Sequence, residues 1–459
     1  MPSRNLLVAG LLLSTGLAGC SLTPAYTVPA TPPPAAAYHE TGAWTPAAPA
    51  DTAPRGAWWS MFADPALDAL EQRIDTDNAQ LAAAVARYDE AGALARQAQA
   101  GLFPTLSAVG SVSQTDDPRN GKLNNNSLGL SAGYEVDLWG RMRALASAGH
   151  AEAQASAADL ANVRLSLQAR LAETYFSLRG ADAQIALLQQ TDDTYQKALN
   201  LTTDRFKGGA SAAADVSRAK TQLGSTQSQL EQTRASRALL EHALAVLVGQ
   251  SASTFRVDAV TTQLDVPQIP IDAPSQLLQR RPDVAASERR VFEANARIGA
   301  AKAAFFPDIT LSGGGGNEEY VGSTGPYWAI GPAAVNLPIF DAGARSARLT
   351  QARDEFTAAA AGYRQTVLTA FQDVEDQLAL SNRLSTAAAR EDEAVTAATE
   401  TNRLSLIQYR EGAASYLDVV TAQTAELDAR RTALDLHTRR LLAGVDLIRA
   451  LGGGWRPAA

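Results

Sequence analysis

The longest regular pattern of apolar residues in this chain lies between Leu160 and Phe206. Large apolar side chains recur there at intervals of three, four or seven residues, and no proline interrupts them. They are Leu160, Val163, Leu167, Leu171, Leu178, Ile185, Leu188, Tyr195, Leu199 and Phe206. This spacing is typical of a coiled-coil seam and predicts one helix from Arg141 to Phe206. At ~1.5 Å per residue such a helix is about 98 Å long, far more than a compact domain needs.

Glycines end this helix. Gly208 and Gly209 follow it directly, and glycine readily adopts the left-handed backbone that stops a helix. The apolar pattern resumes at Ala213, so a shorter antiparallel helix is predicted to return from the turn. Gly412 follows a second long apolar pattern in the same way. We therefore predict two tip turns, one at Gly208 and Gly209 and one at Gly412.

The chain repeats itself at a constant offset along the sequence. Five landmarks recur with their numbering raised by 203 in every case, which indicates two tandem copies of one structural unit. Phe103-Pro104 recurs as Phe306-Pro307, Gly140 as Gly343, Gly209 as Gly412, Asp215-Val216 as Asp418-Val419, and Gly249 as Gly452. The first repeat is assigned to residues 57–253, the linker to 254–273, the second repeat to 274–453 and a tail to 454–459.

Each repeat has the same predicted order: a first helix, a section rich in Pro, Gly and Ser, a long helix and a closing helix. The first helices are predicted at 65–101 and 274–304, the long helices at 141–206 and 344–409, and the closing helices at 213–248 and 415–451. Alanine dominates these segments and aromatic residues make up only 6% of the chain. Such a composition favours long, closely packed helices over one thick core.

The sections rich in Pro, Gly and Ser predict paired strands. Between Ser127 and Leu138, apolar residues alternate with Gly, Ser, Glu and Asp. The other strands are predicted at 105–114, 308–316 and 327–340, with hairpin loops at 120–126 and 317–325. Each strand has close to the ~10 residues that a tilted transmembrane strand needs. Four strands alone would leave unpaired edges in lipid, whereas three chains would supply twelve strands, enough to close a barrel.

The start of the chain predicts export and lipid attachment. An apolar run follows Arg4, and small residues precede Cys20, the only cysteine. This resembles a bacterial lipobox, which implies that 1–19 is a cleaved signal peptide and that Cys20 carries a covalent lipid. Ser21 in place of an aspartate implies sorting to the outer membrane. Residues 20–56 are then an extended, lipid-anchored tether. The alternative is an ordinary signal peptide with an incidental cysteine.

Charge and composition exclude several other classes of function. The formal net charge is −8 and no basic run occurs, which argues against nucleic acid as a partner. The four histidines are isolated, so no metal site is predicted. No nucleophile elbow or phosphate loop is present either, and we expect neither catalysis nor a cofactor other than the lipid on Cys20. The histidines are His39, His150, His242 and His437.

Several sequence blocks together resemble the outer membrane factors, the TolC-like exit ducts of tripartite efflux systems, and specifically their lipoprotein branch. The resemblance covers nearly the whole chain from Trp58 to Gly453. The blocks are Trp58-Trp59 with Asp64-Pro65, Asp137 to Arg141, Arg280 to Val284 with Glu288, Ala294 to Gly299, Phe306 to Asp308, and Tyr409 to Gly412 with Leu417 to Val420.

This resemblance implies an α/β membrane protein: a homotrimer with a 12-stranded transmembrane β-barrel, four strands per chain, and a long antiparallel α-helical coiled-coil tunnel. It implies location in the outer membrane with extension into the periplasm. The implied partners are a periplasmic adaptor and an inner-membrane transporter. The implied function is a passive exit duct for small molecules such as drugs or toxic compounds. The alternative function is a lipid-anchored coiled-coil spacer in the periplasm.

The resemblance also implies a gate at the tip turns. Asp418 matches an acidic ring that narrows the pore, and Thr421 stands where some relatives have a second acid. Tyr409 and Asp215 match two partners in the polar links of the closed state. A third partner, often arginine in relatives, is Ala414 here, and Arg410 is the alternative cation. Helix capping is the other interpretation of Asp215 and Asp418, and packing is the other interpretation of Tyr409.

Two acids near the end of the strand from Ser127 have two interpretations. Glu135 and Asp137 lie on its polar face, so they are candidates for the barrel lumen. Alternatively, they lie at the junction of barrel and helix and help to start the long helix.

Overall fold

A computed structural model describes residues 21–32, 38–40, 55–118, 121–269, 280–320 and 323–453. The predicted signal peptide, Cys20 and the tail 454–459 lie outside the described residues, so the predictions made for them stay predictions. The same holds for residues 270–279, where the first helix of the second repeat was predicted to begin.

Helices make up most of the described chain. A short 3-10 helix at Arg55–Phe62 precedes them. They are α1 (Pro65–Asp77), α2 (Ala79–Ala100), α3 (Arg141–Lys207), α4 (Ala213–Leu247), α5 (Pro282–Ala303), α6 (Ala344–Arg410) and α7 (Tyr416–Ala450). The two long helices, α3 and α6, have 67 residues each. Among the described residues, no helix is both long enough and apolar enough to cross a membrane.

The first predicted helix is in fact two helices, because Asn78 interrupts it. The backbone of Asn78 is extended, and its side chain accepts a hydrogen bond from the N–H of Leu81 at 2.9 Å. The same side chain donates to the carbonyl of Leu247 at 2.7 Å, at the end of α4. In the second repeat Arg281 takes this place and donates to the carbonyl of Ala450 at 3.3 Å, at the end of α7. Both interactions satisfy carbonyls that a helix end leaves unpaired.

The strands form one antiparallel sheet in the order β1, β2, β3, β4, with the short β5 also paired to β3. They are β1 (Thr105–Asp117), β2 (Gly121–Glu135), β3 (Asp308–Tyr320), β4 (Ser323–Ile330) and β5 (Ala334–Asn336). The hairpin loops predicted at 120–126 and 317–325 are therefore too long. Polar side chains bridge the strand ends there: Gln114 donates to Asn124 at 3.0 Å and Asn126 to Glu319 at 3.0 Å.

The fourth predicted strand is interrupted by a bulge between β4 and β5. Gly313 of β3 lies opposite Ile330, whereas Thr310 lies opposite Ala334. Two residues of β3 therefore face three residues, 331–333, which defines a β-bulge. Pro332 lies in this bulge, where the absence of an N–H is tolerated.

The bulge compensates for a shorter turn. The first hairpin leaves three residues between Asp117 and Gly121, and the second leaves two between Tyr320 and Ser323. The residue missing from the second turn reappears in the bulge. The constant offset between the repeats is thereby restored before the long helix, and α3 and α6 begin and end at equivalent positions. The predicted tandem repeat is confirmed.

The described chain divides into two compact units. Unit 1 comprises the described residues within 21–31, 86–159 and 283–366 and contains the sheet. Unit 2 comprises the described residues within 32–85, 160–282 and 367–453 and contains both tip turns.

Part of the expected tether packs within unit 1. The phenol of Tyr26 donates to the carboxylate of Glu288 at 2.5 Å, and its ring lies edge-to-face with Phe292 at 5.0 Å. Asn295 donates to the carbonyl of Pro24 at 2.9 Å. Residues 21–31 were expected to lack packing, but the Tyr26 side chain and the Pro24 carbonyl hold this segment against α5.

In unit 2 a buried carboxylate joins the first helix to the long helix. Asp64 caps α1 by accepting from the N–H of Ala66 at 2.9 Å. It also accepts from the Tyr175 hydroxyl at 2.7 Å and from Arg179 at 2.9 Å. Arg179 reaches on to the carbonyl of Thr262, in the predicted linker, at 2.7 Å. The described part of that linker, 254–269, has neither helix nor strand, but this hydrogen bond attaches it to α3.

One buried carboxyl group in unit 2, that of Glu71, has no hydrogen bond within the described part of the chain to compensate for its burial. Glu71 on α1 is fully buried, and neither carboxylate oxygen has a hydrogen-bond partner among the described residues. Burial, with the nearby charges of Asp75 and Asp68, raises the pKa of Glu71 to about 9. The folded chain therefore keeps a proton that the unfolded chain releases.

We predict that stability falls as the pH rises from about 4.5 to about 9, because ionisation of Glu71 favours the unfolded chain across this range. Glu71→Gln should remove this part of the pH dependence. The measurement is the midpoint of thermal unfolding by circular dichroism at a fixed scan rate. Glu90→Gln, on the exposed surface of α2, is the control. A pH dependence unchanged in Glu71→Gln would contradict the prediction.

Candidate functional site

Both predicted tip turns are present in unit 2 and have the same geometry. Gly209 and Gly412 have positive φ angles of 75° and 80°. The N–H of Ala210 donates to the carbonyl of Arg205 at 2.8 Å, and the N–H of Ala413 donates to that of Gln408 at 2.8 Å. These bonds close the end of each long helix as in a Schellman motif, which requires the left-handed residue. A larger residue at either glycine would therefore strain the turn.

Asp418 lies on the exposed surface in the first turn of α7. Its Oδ2 accepts from the N–H of Ser415 at 2.9 Å and from the Ser415 hydroxyl at 2.8 Å. The N–H of Asp418 donates back to that hydroxyl oxygen at 3.4 Å, which completes a capping box. Asp418 therefore caps a helix, while its Oδ1 takes part in none of these bonds.

Asp215 occupies the equivalent position on α4 and also bonds locally. Its Oδ2 accepts from the Ser211 hydroxyl at 3.0 Å and from the N–H of Ala212 at 3.4 Å. Its Oδ1 accepts from Arg218 at 2.9 Å. Because Arg218 pairs with it, Asp215 differs from Asp418 in its net local charge.

Tyr409 lies in an apolar cluster at the tip ends of α3, α4, α6 and α7, which we call the tip helices. We call this the tip cluster; it contains Ala219, Tyr409, Tyr416 and Val419, with Leu199, Leu201, Leu406 and Val420 packed against it. Tyr409 is only 4% exposed, and its hydroxyl has no hydrogen-bond partner among the described residues. Its ring lies 5.3 Å from that of Tyr416. The structure therefore does not bring the Tyr409 hydroxyl and Asp215 together in a direct bond.

Arg205 is the tip residue that the sequence interpretation missed. It donates to the carbonyls of Tyr409 and Arg410 at 3.1 and 3.2 Å, and its guanidinium lies 4.7 Å from the centre of the Tyr409 ring. It thus links the last turn of α3 to the last turn of α6. Arg410 takes part through its carbonyl, while its side chain is in an exposed residue. A basic residue in the last helical turn was the available signal, since such residues bond the terminal carbonyls.

A polar cavity of about 170 Å³ lies between α3, α6 and α7. Gln423 lines it, is 2% exposed, and has both amide atoms without a partner among the described residues. The cavity has room for several waters at ~30 Å³ each, and such buried polar atoms need them. Leu427, which also lines the cavity, belongs to a second apolar cluster with Leu188 and Leu230. Along α3 the cavity residues 190–195 lie between Leu188 of this second cluster and Leu199 of the tip cluster, so the cavity separates the two clusters.

Glu135 and Asp137 both contact the start of α3 in unit 1. Glu135 accepts from Arg141 at 2.6 Å. Asp137 accepts from the N–H groups of Met142 and Arg143 at 3.1 and 2.9 Å. Partial burial opposes ionisation of Asp137, but these hydrogen bonds outweigh it and lower the pKa of its carboxyl. Both acids therefore make the contacts expected of helix-entry residues.

The sheet in unit 1 has one apolar and one polar face. Residues directly opposite each other share a face, so the strand registers define each face across all four strands. On the apolar face Val112 is 88% exposed, Trp328 80% and Ile330 89%. The polar face carries mostly Ser, Gly and Thr from the same strands. The apolar side chains are Leu106, Ala108, Val112, Leu128, Leu130, Ala132, Tyr134, Leu311, Trp328 and Ile330.

An exposed apolar surface of this extent is typical of a membrane or protein interface. The polar face is chemically suited to water. A two-faced sheet of this kind can separate lipid from an aqueous channel, and the tip turns lie in the other unit.

Comparison with known proteins gives a consistent result. The family model "Outer membrane efflux protein" matches residues 70–250 and 273–453, so that both ends of the two segments differ by the offset of the internal repeat. The toluene efflux pump outer membrane protein TtgC of Pseudomonas putida is 33% identical over 96% of this chain and 93% of its own length. The cation efflux system protein CusC of Escherichia coli O6:H1 is 29% identical over 97% of this chain and 98% of its own length.

Solved structures agree with these matches. The outer-membrane channel OprN superposes with a TM-score of 0.88 and 30% identity, covering 95% of this chain and 100% of that chain. The TolC-like, two-repeat channel fold that the sequence predicted is confirmed.

We predict that Arg205→Lys loosens the tip, because an ammonium has no planar group to stack on the Tyr409 ring while it bonds the two carbonyls. Amide hydrogen exchange in residues 406–420 should become about tenfold faster, since a desolvated cation–π contact contributes on the order of 1–2 kcal/mol. Arg403→Lys, at an exposed pair with Glu400 on α6, is the control and should leave these amides unchanged. Equal exchange in both variants would exclude this role for Arg205.

Proposed function

The chain belongs to the outer membrane efflux protein family and is an outer-membrane exit duct, and we propose that it acts as a passive homotrimeric conduit with a gate at its tip turns. The observation that carries this proposal is the two-faced sheet with its exposed apolar face. In lipid every backbone polar group needs a partner, which an open four-stranded sheet cannot supply. Three chains would supply twelve strands, enough to close the sheet into a β-barrel.

The gate is proposed to lie where the tip helices end. Three copies of Asp418 around an axis would form a ring of carboxylates that attracts cations and repels itself. Separation of the three Asp418 carboxylates would open the pore. The tip cluster would move as one body in this step, because the polar cavity separates it from the apolar cluster of Leu188, Leu230 and Leu427. Arg205 and Tyr409 would hold the closed arrangement together.

The partners and energy source follow from the same proposal. A periplasmic adaptor would engage the tip, and an inner-membrane transporter would supply the energy, so that the conduit itself needs no catalytic chemistry. The sheet would lie in the outer membrane and the helices of unit 2 in the periplasm. A lipid on Cys20 would add an anchor next to Ser21, whose neighbours are held on unit 1.

The cargo is proposed to be small toxic molecules. The names of TtgC and CusC refer to toluene and to cations, respectively, so relatives of similar identity serve different substrates. This chain has three methionines, Met1, Met61 and Met142, too few and too scattered for a thioether relay of soft metal ions. Organic compounds are therefore the better candidates.

We predict that Asp418→Asn weakens block by divalent cations in planar bilayers. Asparagine keeps an oxygen for the Ser415 cap but removes the charge. The blocking concentration should rise by about tenfold or more, since losing ~1.4 kcal/mol of carboxylate–cation attraction is a factor of ten. Glu393→Gln, an exposed carboxylate on α6, is the matched neutralisation and should change nothing. Unchanged block in Asp418→Asn would remove this residue from the gate.

We predict that Cys20→Ala stays in the outer membrane, because twelve strands would hold the trimer there without the lipid. The measurement is extraction of the membrane fraction with high salt or carbonate. The coiled-coil spacer, the alternative function, depends on the lipid alone, so release of Cys20→Ala into the soluble fraction would favour it. Sedimentation of the wild type in the same preparation is the control.

A further inference from the structure

The sheet of unit 1 has two strand edges without a partner strand among the described residues. β1 is the outer strand on one side, and β4 with β5 forms the other. Such edges readily pair with another chain. The proposed trimer requires each chain to place β4 and β5 against β1 of a second copy. We call this arrangement the closing strand pair. The closing strand pair rests on the proposed function, but the existence of a trimer does not define which residues of the two strands lie opposite each other.

The chain contains a template for the closing strand pair. β2 of the first repeat is paired with β3 of the second repeat, from Asn125 opposite Tyr320 to Glu135 opposite Thr310. β1 and β3 are equivalent strands, since their first residues, Thr105 and Asp308, are related by the repeat offset. The closing strand pair would join the second repeat of one chain to the first repeat of the next. It would therefore reproduce the pairing of β2 with β3.

Transfer of this register must take the bulge into account. Ile330 of β4 lies opposite Gly313, whereas the first-repeat equivalent of Gly313, Gly110, lies opposite Leu128. Residues of β4 are therefore equivalent to residues of β2 that are 202 positions earlier. Beyond the bulge the offset returns to 203, because Val335 of β5 lies opposite Ile309.

We infer from this geometry that the closing strand pair has two blocks of register separated by the bulge at 331–333. In the first block Ala329 lies opposite the partner subunit's Thr115, and the other β4 residues follow in antiparallel order. In the second block Val335 lies opposite the partner subunit's Gly110. The partner is a second copy of this chain, and the interaction surface is the edge formed by β4 and β5.

The distribution of apolar side chains supports this register independently. Trp328 lies on the apolar face with Leu130 and Ala108, through successive opposite residues across the sheet. The inferred register keeps Trp328 and Ile330 on the same face as Leu106 and Val112 of the next chain. A uniform offset of 203 would shift β4 by one residue. That shift would turn both large side chains to the polar face, since strand side chains alternate.

Disulfide cross-linking tests the register residue by residue. The variant Ala329→Cys/Thr115→Cys should form covalent dimers and trimers under mild oxidation, because directly opposite Cβ atoms are ~4.5–5.5 Å apart. The readout is a non-reducing gel of the membrane fraction. Bonding within one chain is excluded, since β1 and β4 are three strand spacings apart, on the order of 14 Å.

Two slipped pairs and one internal pair are the controls. Ala329→Cys/Gln114→Cys and Ala329→Cys/Asp116→Cys each shift the register by one residue and should remain monomeric. Ser127→Cys/Glu318→Cys is the equivalent pair within the chain, and it should form an internal disulfide. This internal pair also shows that a double-cysteine variant folds.

Each outcome is decisive. Covalent oligomers from a slipped pair would overturn the register, and no oligomers from any pair while the internal disulfide forms would overturn the closing strand pair. Failure of the internal disulfide would remove the template itself. Bilayer conductance of the reduced protein separates this inference from the proposed function. Cross-links without conductance support the inferred register and reject the conduit, whereas conductance without cross-links supports the conduit and rejects the inferred register.

Discussion

The structure of unit 1 depends on the pairing of backbone N–H and C=O groups. An antiparallel sheet with one exposed apolar face is unstable in water and incomplete in lipid, because neither of its edges has a partner strand among the described residues. In the proposed trimer the tandem repeat would resolve this, since the second repeat already pairs with the first within one chain along an edge equivalent to the one that a second copy would supply. The one-residue deficit in the second turn would break this equivalence. The bulge at Pro332 restores it before the long helix begins.

Unit 2 is stabilised differently, because alanine-rich helices bury little apolar surface per residue. Its helices are fixed at their ends and crossings by buried polar contacts such as Asp64 with Tyr175 and Arg179, and Asp182 with Arg237 at 2.6 Å. Buried ion pairs add little net stability once desolvation is counted, but loss of one partner is costly. These buried ion pairs therefore define which helices pack together and at which position along their axes. The described part of the linker, 254–269, accepts hydrogen bonds from the same two arginines through the carbonyls of Thr262 and Val257, so it is bound to the helices of unit 2.

The sequence predicted those parts of the fold that rest on periodicity, and it failed where single side chains decide. Long helices, tip turns and the repeat follow from apolar spacing and glycines. Asn78 was missed because a residue that splits a helix by bonding to a distant carbonyl carries no local signal. The strands were predicted too short at their polar ends, since cross-strand amide bonds compensate for the low strand propensity of asparagine. Arg205 was missed because its target carbonyls lie in the other repeat, far away along the chain. The roles of Asp418, Asp215 and Tyr409 in a gate stay predictions.

Capping and gating are compatible roles for Asp418. The capping box fixes its Oδ2 through two bonds from Ser415, which orients the carboxylate and leaves Oδ1 outside the box. The positive end of the α7 dipole favours a negative charge at this position. Three carboxylates brought together in a trimer would repel one another, and the helix dipole together with the bonds from Ser415 would offset part of this repulsion. Asp215 has the same capping position but is paired with Arg218, so its charge is compensated. Of the two equivalent acids, Asp418 is therefore the one suited to an ion-attracting ring, and the difference arises from a single arginine on α4.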